Sequence, residues 1–165
     1  MRRLSGVSLP ELLVVLGLLA IIGAVSMPYL LGAIRNSDFN SAVRQVAGDA
    51  RFARSLAISK GGYYRLQRSN NSYRIEHSNS GASWPASDEQ MGTSVDVISN
   101  WQDLPSLYNG ITIQTFSVAD GAIFNSTGAS VDSSNALRSV NITLLKPDGT
   151  TKAIQVDPAG NVKIQ

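Results

Sequence analysis

An uncharged, strongly apolar run near the N-terminus constrains this chain more than any other feature of its sequence. From Leu12 to Ile34 there are 23 residues without a charged side chain. As a helix this run would extend about 34 Å, which is enough to cross the hydrocarbon core of a bilayer. Arg2 and Arg3 precede it, and positive charge before a span keeps that end in the cytoplasm. The sequence therefore predicts one membrane span, with the remainder of the chain on the far side.

Glu11 stands at the start of the apolar run, where a plain membrane anchor gains nothing from a carboxylate. An unpaired carboxylate costs on the order of 3 kcal/mol near the bilayer centre and less toward the interface. Cleavage after Gly6 would make Val7 the new N-terminus, and its ammonium would lie four residues before Glu11 on the same helix face. This spacing predicts a salt bridge between Glu11 and that ammonium, within one chain or between neighbouring chains.

Three other interpretations of this segment stay open. Ser8 to Glu11 has the pattern of a capping box, in which Glu11 accepts a hydrogen bond from the Ser8 backbone N–H. That cap could form in the free subunit and be exchanged for an ammonium on assembly. A secretory signal cleaved after Ser26 is the second, although its apolar core would be too long and would begin with a carboxylate. A plain transmembrane anchor is the third.

The segment Gly6-Val-Ser-Leu-Pro-Glu11-Leu-Leu-Val-Val resembles the leader and N-terminal helix of type IV pilins and type II secretion pseudopilins. The resemblance implies that a prepilin peptidase cuts after Gly6 and N-methylates Val7, and that Glu11 is the acidic residue used in assembly. Phenylalanine is the commoner first residue, so Val7 departs from the family pattern. The implied partners are other pilin or pseudopilin subunits and an inner-membrane assembly platform. The implied location is the bacterial inner membrane, with the globular domain outside the cytoplasm, and then a periplasmic or extracellular filament.

One helix is expected from about Ser8 to Lys60. Pro28 lies inside it and removes the hydrogen bond to the Ala24 carbonyl, so we expect a kink there. Either this kink is static or the helical segment around it becomes extended on assembly. Beyond Arg35 an apolar stripe follows helical spacing, which indicates a face packed on a domain. Its members are Phe39, Ala42, Val43, Val46, Ala50, Ala53 and Ala57. Gly61 and Gly62 should end the helix.

The remainder of the chain predicts strands and turns. Residues 63–68 and 73–77 flank Ser69-Asn-Asn-Ser72, a hairpin signal with asparagines suited to positive φ. A loop is expected over 78–91, and further strands over 93–99, 110–116, 121–125, 139–146, 152–157 and 161–165. The predicted fold class is α+β, a long N-terminal helix packed against antiparallel β-sheet. Its predicted parts are a cleaved leader (1–6), a membrane and assembly helix (7–34), an amphipathic helix (35–60) and a β-rich domain (61–165).

Three later segments narrow the resemblance to GspH/FimT-type minor pilins. They are the helix end Asp49-Ala-Arg-Phe-Ala-Arg-Ser-Leu-Ala-Ile-Ser-Lys-Gly-Gly62, the segment Ile123-Phe-Asn-Ser-Thr-Gly128, and the final Asp157-Pro-Ala-Gly-Asn-Val-Lys-Ile164. The resemblance implies a low-copy structural subunit near the filament tip. Such a subunit primes or caps a type IV pilus or a type II secretion pseudopilus.

Charge is unevenly placed along the chain. Eight basic residues lie from Arg35 to Arg74, whereas seven acidic residues and no basic ones lie from Glu76 to Asp132. The two blocks are either solvated faces or complementary surfaces that meet between subunits. Without Arg2 and Arg3 the 14 basic side chains fall to 12, which equals the 12 acidic ones. A strongly basic nucleic-acid binder is therefore not indicated by net charge.

A filament-tip receptor for DNA is nevertheless the main alternative function, and a membrane-anchored domain that never polymerises is another. FimT-like receptors carry a Gly-Arg-x-Arg pattern near the C-terminus. This chain has Gly160-Asn-Val-Lys163 there, with one basic residue. One cation in place of two weakens phosphate binding. The candidate DNA contacts are Arg65, Arg68 and Arg74 on the first hairpin together with Lys163.

Catalysis finds no support in the sequence. His77 is the only histidine, and there is no cysteine, no HExxH motif, no phosphate-binding loop and no carboxylate cluster with metal-ligand spacing. A lone histidine on a predicted strand is typical of a surface or packed residue. We therefore expect no enzyme activity, no catalytic residue, no metal and no cofactor.

Overall fold

The computed structural model describes residues 9–78, Gly81, Trp84 and 95–165. The chain divides into two compact units, with the division between Ser37 and Asp38. Helix α1 (Leu9–Lys60) contributes to both units. The predicted leader and its cleavage site at Gly6 and Val7 lie outside the described residues, as does most of the predicted loop over 78–91.

The part of α1 in the second unit packs as the sequence predicts. All seven residues of the predicted apolar stripe, from Phe39 to Ala57, are buried. Gly61 and Gly62 follow with φ of 72° and 99°, a backbone conformation that glycine adopts without steric cost. These residues end the helix at the predicted position.

Ten strands and one short helix follow α1 in the described part of the chain. They are β1 (Tyr63–Ser69), β2 (Ser72–Ser78), β3 (Val95–Val97), β4 (Gln102–Asp103), α2 (Leu104–Leu107), β5 (Thr112–Phe116), β6 (Ala122–Phe124), β7 (Ser130–Val131), β8 (Val140–Leu145), β9 (Thr151–Val156) and β10 (Val162–Ile164). The strands expected from the sequence are all present. The sequence did not predict β4, α2 and β7, because elements of two to four residues are too short to show a periodicity.

The strands form two antiparallel sheets, which confirms the predicted α+β class. The first sheet has the order β3-β2-β1-β6-β7 with β4 paired to β2, and the second has the order β10-β9-β8-β5. One core joins α1 beyond Asp38 to both sheets. Its residues from the strands include Tyr64, Leu66, Tyr73 and Ile75 of the first sheet and Ile142, Leu144, Ile154 and Val156 of the second.

The β1–β2 hairpin turns at Asn70 and Asn71, between the paired residues Ser69 and Ser72. Only Asn70 has a positive φ, of 52°, so the expectation of two positive-φ asparagines is half wrong. Asn71 is held by other contacts. Its side-chain oxygen accepts a hydrogen bond from the Ile113 N–H at 3.3 Å, and its carbonyl accepts one from the Leu104 N–H at 3.3 Å.

Candidate functional site

The apolar run of α1 exposes its side chains over the whole of its described length. The large apolar side chains from Leu9 to Ile34 have exposed fractions from 46% at Ile34 to 85% at Tyr29. By length and composition this helix can cross a membrane, and its most apolar window buries nothing inside the chain. Apolar surface in water costs about 25 cal/mol per Å², so this run requires lipid or other protein chains around it.

Glu11 lies in the first turn of α1 and its side chain is exposed. Its two predicted partners, the Val7 ammonium and the Ser8 backbone, lie outside the described residues. The salt bridge and the capping box therefore both stay predictions.

The helix is continuous through Pro28. Two residues before it, the Ser26 hydroxyl donates a hydrogen bond to the Ile22 carbonyl at 2.8 Å, a contact that often bends helices. A Cβ atom placed on Gly17, Gly23 or Gly32 would meet nothing within 4 Å. Such small residues let another helix approach closely in a membrane. The kink itself stays a prediction.

Two arginines on α1 bind backbone carbonyls that lie far along the chain. Arg54 donates from Nε to the Gly128 carbonyl at 3.0 Å and from Nη2 to the Ala159 carbonyl at 3.1 Å. Arg51 donates from Nη2 to the Val162 carbonyl at 2.9 Å. Through these bonds the helix holds the turn after β6 and the segment that leads into β10. The three segments that carry the resemblance to minor pilins thus meet at Arg54.

The outer face of the first sheet carries a buried cluster of charged side chains. Glu76 is fully buried, with its two oxygens 2.6 Å from the Nε atoms of Arg65 and Arg74. The side chains of these arginines are 4% and 7% exposed. Trp84 covers the Arg65 guanidinium and Trp101 covers that of Arg74, each at 4.2 Å from ring centroid to Cζ. Burial lowers the pKa of Arg65, and the neighbouring Glu76 acts in the opposite direction.

The predicted DNA contacts are therefore placed in different environments. Arg65 and Arg74 are buried against Glu76. Arg68 donates to the Asn70 carbonyl at 2.6 Å and to the Ile113 carbonyl at 2.9 Å, which ties the hairpin to the edge of β5. Lys163 is exposed on β10 of the second sheet. Strand pairing brings the three arginines onto one sheet and leaves Lys163 on the other.

His77 packs between neighbours on the first sheet. Its ring lies 4.5 Å from that of Tyr64, and its Nδ1 is 3.5 Å from a carboxylate oxygen of Asp96 on β3. Among the described residues, no group of three or more His, Asp or Glu side chains is placed to hold a metal ion.

A second polar cluster joins α1 to the first sheet and to the end of α2. Asp49 accepts a hydrogen bond from the Tyr73 hydroxyl at 2.7 Å, and Gln45, one turn earlier, accepts one from Tyr108. Burial raises the pKa of Asp49, and the bond from Tyr73 lowers it by less. Burial and the Asp49 carboxylate raise the pKa of Tyr73. Ionised Asp49 therefore lowers the stability of the fold, and its hydrogen bond from Tyr73 offsets part of that loss.

Asp49→Asn should raise the melting temperature at pH 7, because the amide oxygen still accepts from Tyr73 while no charge is buried. Since the native pKa lies above the unfolded one, the native state binds more protons in the window just above pH 4, and wild-type stability falls as pH rises through it. The advantage of the variant should therefore grow with pH and level off once the pH exceeds the native pKa of Asp49. Thermal unfolding of the full chain at pH 4 to 7 measures this. A variant that is less stable than the wild type by the same amount at every pH would contradict the prediction.

A family model for type II transport protein GspH matches residues 42–160 of this chain. The chain belongs to the GspH family. This places it in the type IV pilin and pseudopilin superfamily, as the sequence motifs predicted. No curated protein sequence matches it.

Two solved structures show the same fold as this GspH-family chain. Crystal structures of the type IV minor pilin FimU from Pseudomonas aeruginosa align with TM-scores of 0.52 and 0.53, at 15% and 13% identity. They cover 76% and 79% of this chain and 91% and 90% of the FimU chains. The minor pseudopilin EpsH from the type 2 secretion system of Vibrio cholerae has a TM-score of 0.49 and 10% identity, covering 76% of this chain and 94% of its own.

Sequence reasoning missed the arginine contacts of this GspH-family unit. By position along the chain, Arg65 and Arg74 belong to the basic block and Glu76 belongs to the acidic one. The alternation of side chains between the two faces of adjacent strands is nevertheless a usable signal that the three lie together. Arg74 and Glu76 are two residues apart and so share a sheet face, and the hairpin register puts Arg65 opposite Glu76. The bonds from Arg54 had no such signal, because Gly128 and Ala159 lie 74 and 105 residues away along the chain.

Proposed function

We propose that this chain is a minor pilin or pseudopilin, held in the bacterial inner membrane by α1 until that helix packs among those of neighbouring subunits in a filament. The observation that carries the proposal is the exposed apolar surface of α1 on a GspH-family chain whose globular unit has a buried core of its own. A surface of that kind is stable in lipid and equally stable against other apolar helices. It can therefore move from one to the other at little cost.

The role of the subunit is to prime or cap the filament rather than to form its shaft. The FimU structures that share its fold are those of a type IV minor pilin, which supports a low-copy role. In this proposal the chain consists of a leader over 1–6, a membrane and assembly helix over 7–34, an amphipathic helix over 35–60 and a β-rich domain over 61–165. A prepilin peptidase and an inner-membrane assembly platform are the further partners of this function.

Basic residues of the globular unit support a structural role over that of a DNA receptor. Arg65 and Arg74 are buried and paired with Glu76, and Arg68 binds backbone carbonyls. Affinity for DNA depends on cations that can neutralise phosphates. Two of the four candidate contacts are thus enclosed within the fold.

Mass spectrometry of membrane-extracted protein should find Val7 as the N-terminus, carrying one methyl group. The basic leader, Gly6 and the apolar run together specify this cleavage. Gly6→Leu is the matched control, since it removes the glycine and leaves charge and span unchanged, and it should retain Met1. A wild-type N-terminus at Met27 would instead indicate secretory processing, and an intact Met1 would indicate a plain anchor.

Glu11→Ala should leave membrane insertion intact and reduce incorporation into filaments by about tenfold or more, the effect of losing a charge pair in apolar surroundings. Insertion is unaffected because removing a charge only eases it. The amount of variant that copurifies with detergent-solubilised filaments, relative to its amount in membranes, measures incorporation.

Glu11→Gln separates the two roles of this side chain. Glutamine can replace glutamate in a capping box but cannot pair with an ammonium. The proposal expects both variants to fail in assembly. Normal incorporation of Glu11→Gln beside failure of Glu11→Ala would show that Glu11 acts as a helix cap.

A further inference from the structure

A cleft of about 450 Å³ opens at the tip of the β1–β2 hairpin, in the globular unit and away from any residue assigned above to assembly. The described residues that line it come from the hairpin tip and from the segment around β4. They are Ser69, Asn70, Asn71, Ser72, Trp101 and Asp103. Strand β4 reaches the hairpin because Asp103 pairs with Ser72 and Gln102 pairs with Tyr73.

Trp101 forms a rigid wall of this cleft. The Arg74 guanidinium packs on its ring at 4.2 Å from the centroid, and Arg74 is itself fixed by the buried Glu76. The guanidinium covers one face of the indole, and Trp101 is partly exposed where it lines the cleft. Because the ring is already ordered, a ligand that stacks on it does so with little loss of side-chain entropy.

The polar groups of the cleft are also held in place. Asp103 is exposed, and one of its oxygens accepts a hydrogen bond from the Ser72 hydroxyl at 3.2 Å. A carboxylate has about four acceptor sites, so Asp103 retains acceptors for a ligand. The Arg68 bond to the Asn70 carbonyl and the two bonds made by Asn71 fix the hairpin tip. The cleft therefore presents an aromatic ring beside amide, hydroxyl and carboxylate groups of defined position.

We propose that this cleft binds a neutral saccharide. A sugar ring has an apolar C–H face that packs on an indole and an edge of hydroxyl groups that donate to carboxylate and amide oxygens. A phosphate-bearing ligand fits poorly, since none of the described lining residues is basic and Asp103 repels it. The two arginines beside the cleft are engaged elsewhere, Arg68 by backbone carbonyls and Arg74 by Glu76. A peptide anchor requires an apolar pocket, and Trp101 is the one apolar side chain among the described lining residues.

The test uses the full chain in lauryldimethylamine oxide, because maltoside and glucoside detergents carry sugar head groups that would compete. Soluble oligomers of β-1,4-linked N-acetylglucosamine represent cell-wall glycan, and oligomers of glucose represent secreted polysaccharide. Calorimetric titration of each gives the dissociation constant. Saturable binding of at least one series is expected, and the series that binds identifies the source.

Matched tryptophan variants test the assignment of the site. Trp101→Ala and Trp101→Phe should weaken binding, the first by about tenfold or more, the scale of losing one aromatic stacking contact. Trp84→Phe is the control, since Trp84 stacks on Arg65 at the same 4.2 Å and is not among the described residues of the cleft. It should bind as the wild type does. Melting temperatures of all variants show which of them are folded.

Asp103→Asn distinguishes the class of ligand. It removes the charge while its amide oxygen can still accept from Ser72, so the fold should be unaffected. Binding of a neutral saccharide should weaken. Tighter binding of a single-stranded oligonucleotide by this variant, with no saccharide bound by the wild type, would overturn the proposal in favour of nucleic acid. Equal effects of Trp101→Phe and Trp84→Phe would also overturn it. Filament assembly does not enter these measurements, so their outcome is independent of the proposed function.

Discussion

Glu76→Ala should lower the free energy of unfolding by about 3–5 kcal/mol, the cost of leaving buried charges without their partner. Glu76 is fully buried and binds both Arg65 and Arg74 at 2.6 Å. Its removal leaves two guanidiniums, 4% and 7% exposed, that repel each other. Since a domain of this size has about 5–15 kcal/mol of stability in total, the variant should melt about 10 °C or more below the wild type.

Asp148→Ala is the control for this prediction. Asp148 also pairs with a basic side chain, Lys146, at 2.7 Å, but half of its own side chain is exposed. Lys146 is only 10% exposed, but water solvates the Asp148 carboxylate, so this variant should lose clearly less stability than Glu76→Ala does. Similar melting temperatures for the two variants would show that burial of the Glu76 cluster does not increase its contribution to stability.

Intrinsic fluorescence gives a second measurement of the same change. The chain contains two tryptophans, Trp84 and Trp101, and both stack on the arginines of the cluster. Tryptophan emission from the folded protein therefore reports on this cluster. Glu76→Ala should shift it under conditions in which Asp148→Ala does not.

Gly160→Ala is the second substitution with a large expected effect, a loss of more than about 2 kcal/mol. Gly160 has a φ of +79°, which costs other residues about 1–2 kcal/mol. A Cβ atom there would also lie 1.8 Å from the Gly128 carbonyl oxygen and 2.9 Å from Arg54 Nε. The turns at Gly128 and Gly160 would have to separate, and the bonds from Arg54 that join them would be lost.

Gly149→Ala isolates the conformational part of that effect. Gly149 has a φ of +89°, and an added Cβ would meet nothing within 4 Å. It should therefore show only the backbone cost, and the difference between the two variants measures the close contact. Urea unfolding of the full chain in detergent provides both values. If the two variants lost equal stability, the contact between the turns would be unimportant.

Buried polar groups change how the charge pattern of this chain is understood. The sequence places Arg65 and Arg74 in a basic block and Glu76 in an acidic one, which suggested solvated or intersubunit faces. The structure buries all three together within one sheet. Neither interpretation describes these residues, because linear spacing does not reveal which charges face each other across paired strands.

The sequence by itself determined the helix, its exposed apolar run, its buried stripe and most of the strands. These features depend on local periodicity, on glycines at the helix end and on turn residues, and each of these patterns can be recognised within a short stretch of sequence. Membership of the GspH family was likewise predictable, since the Gly6 to Glu11 motif and the later segments lie within short stretches of chain.

Only the tertiary structure decided how the strands divide into two sheets and which polar groups pair. Arg54 finds carbonyls 74 and 105 residues away, and Trp101 comes to line a cleft with the hairpin tip through a strand of two residues. Contacts of this kind arise when the core brings distant segments together, and each is then fixed by the need to satisfy buried polar groups. Because these pairings form only in the folded chain, no local pattern in the sequence predicts them.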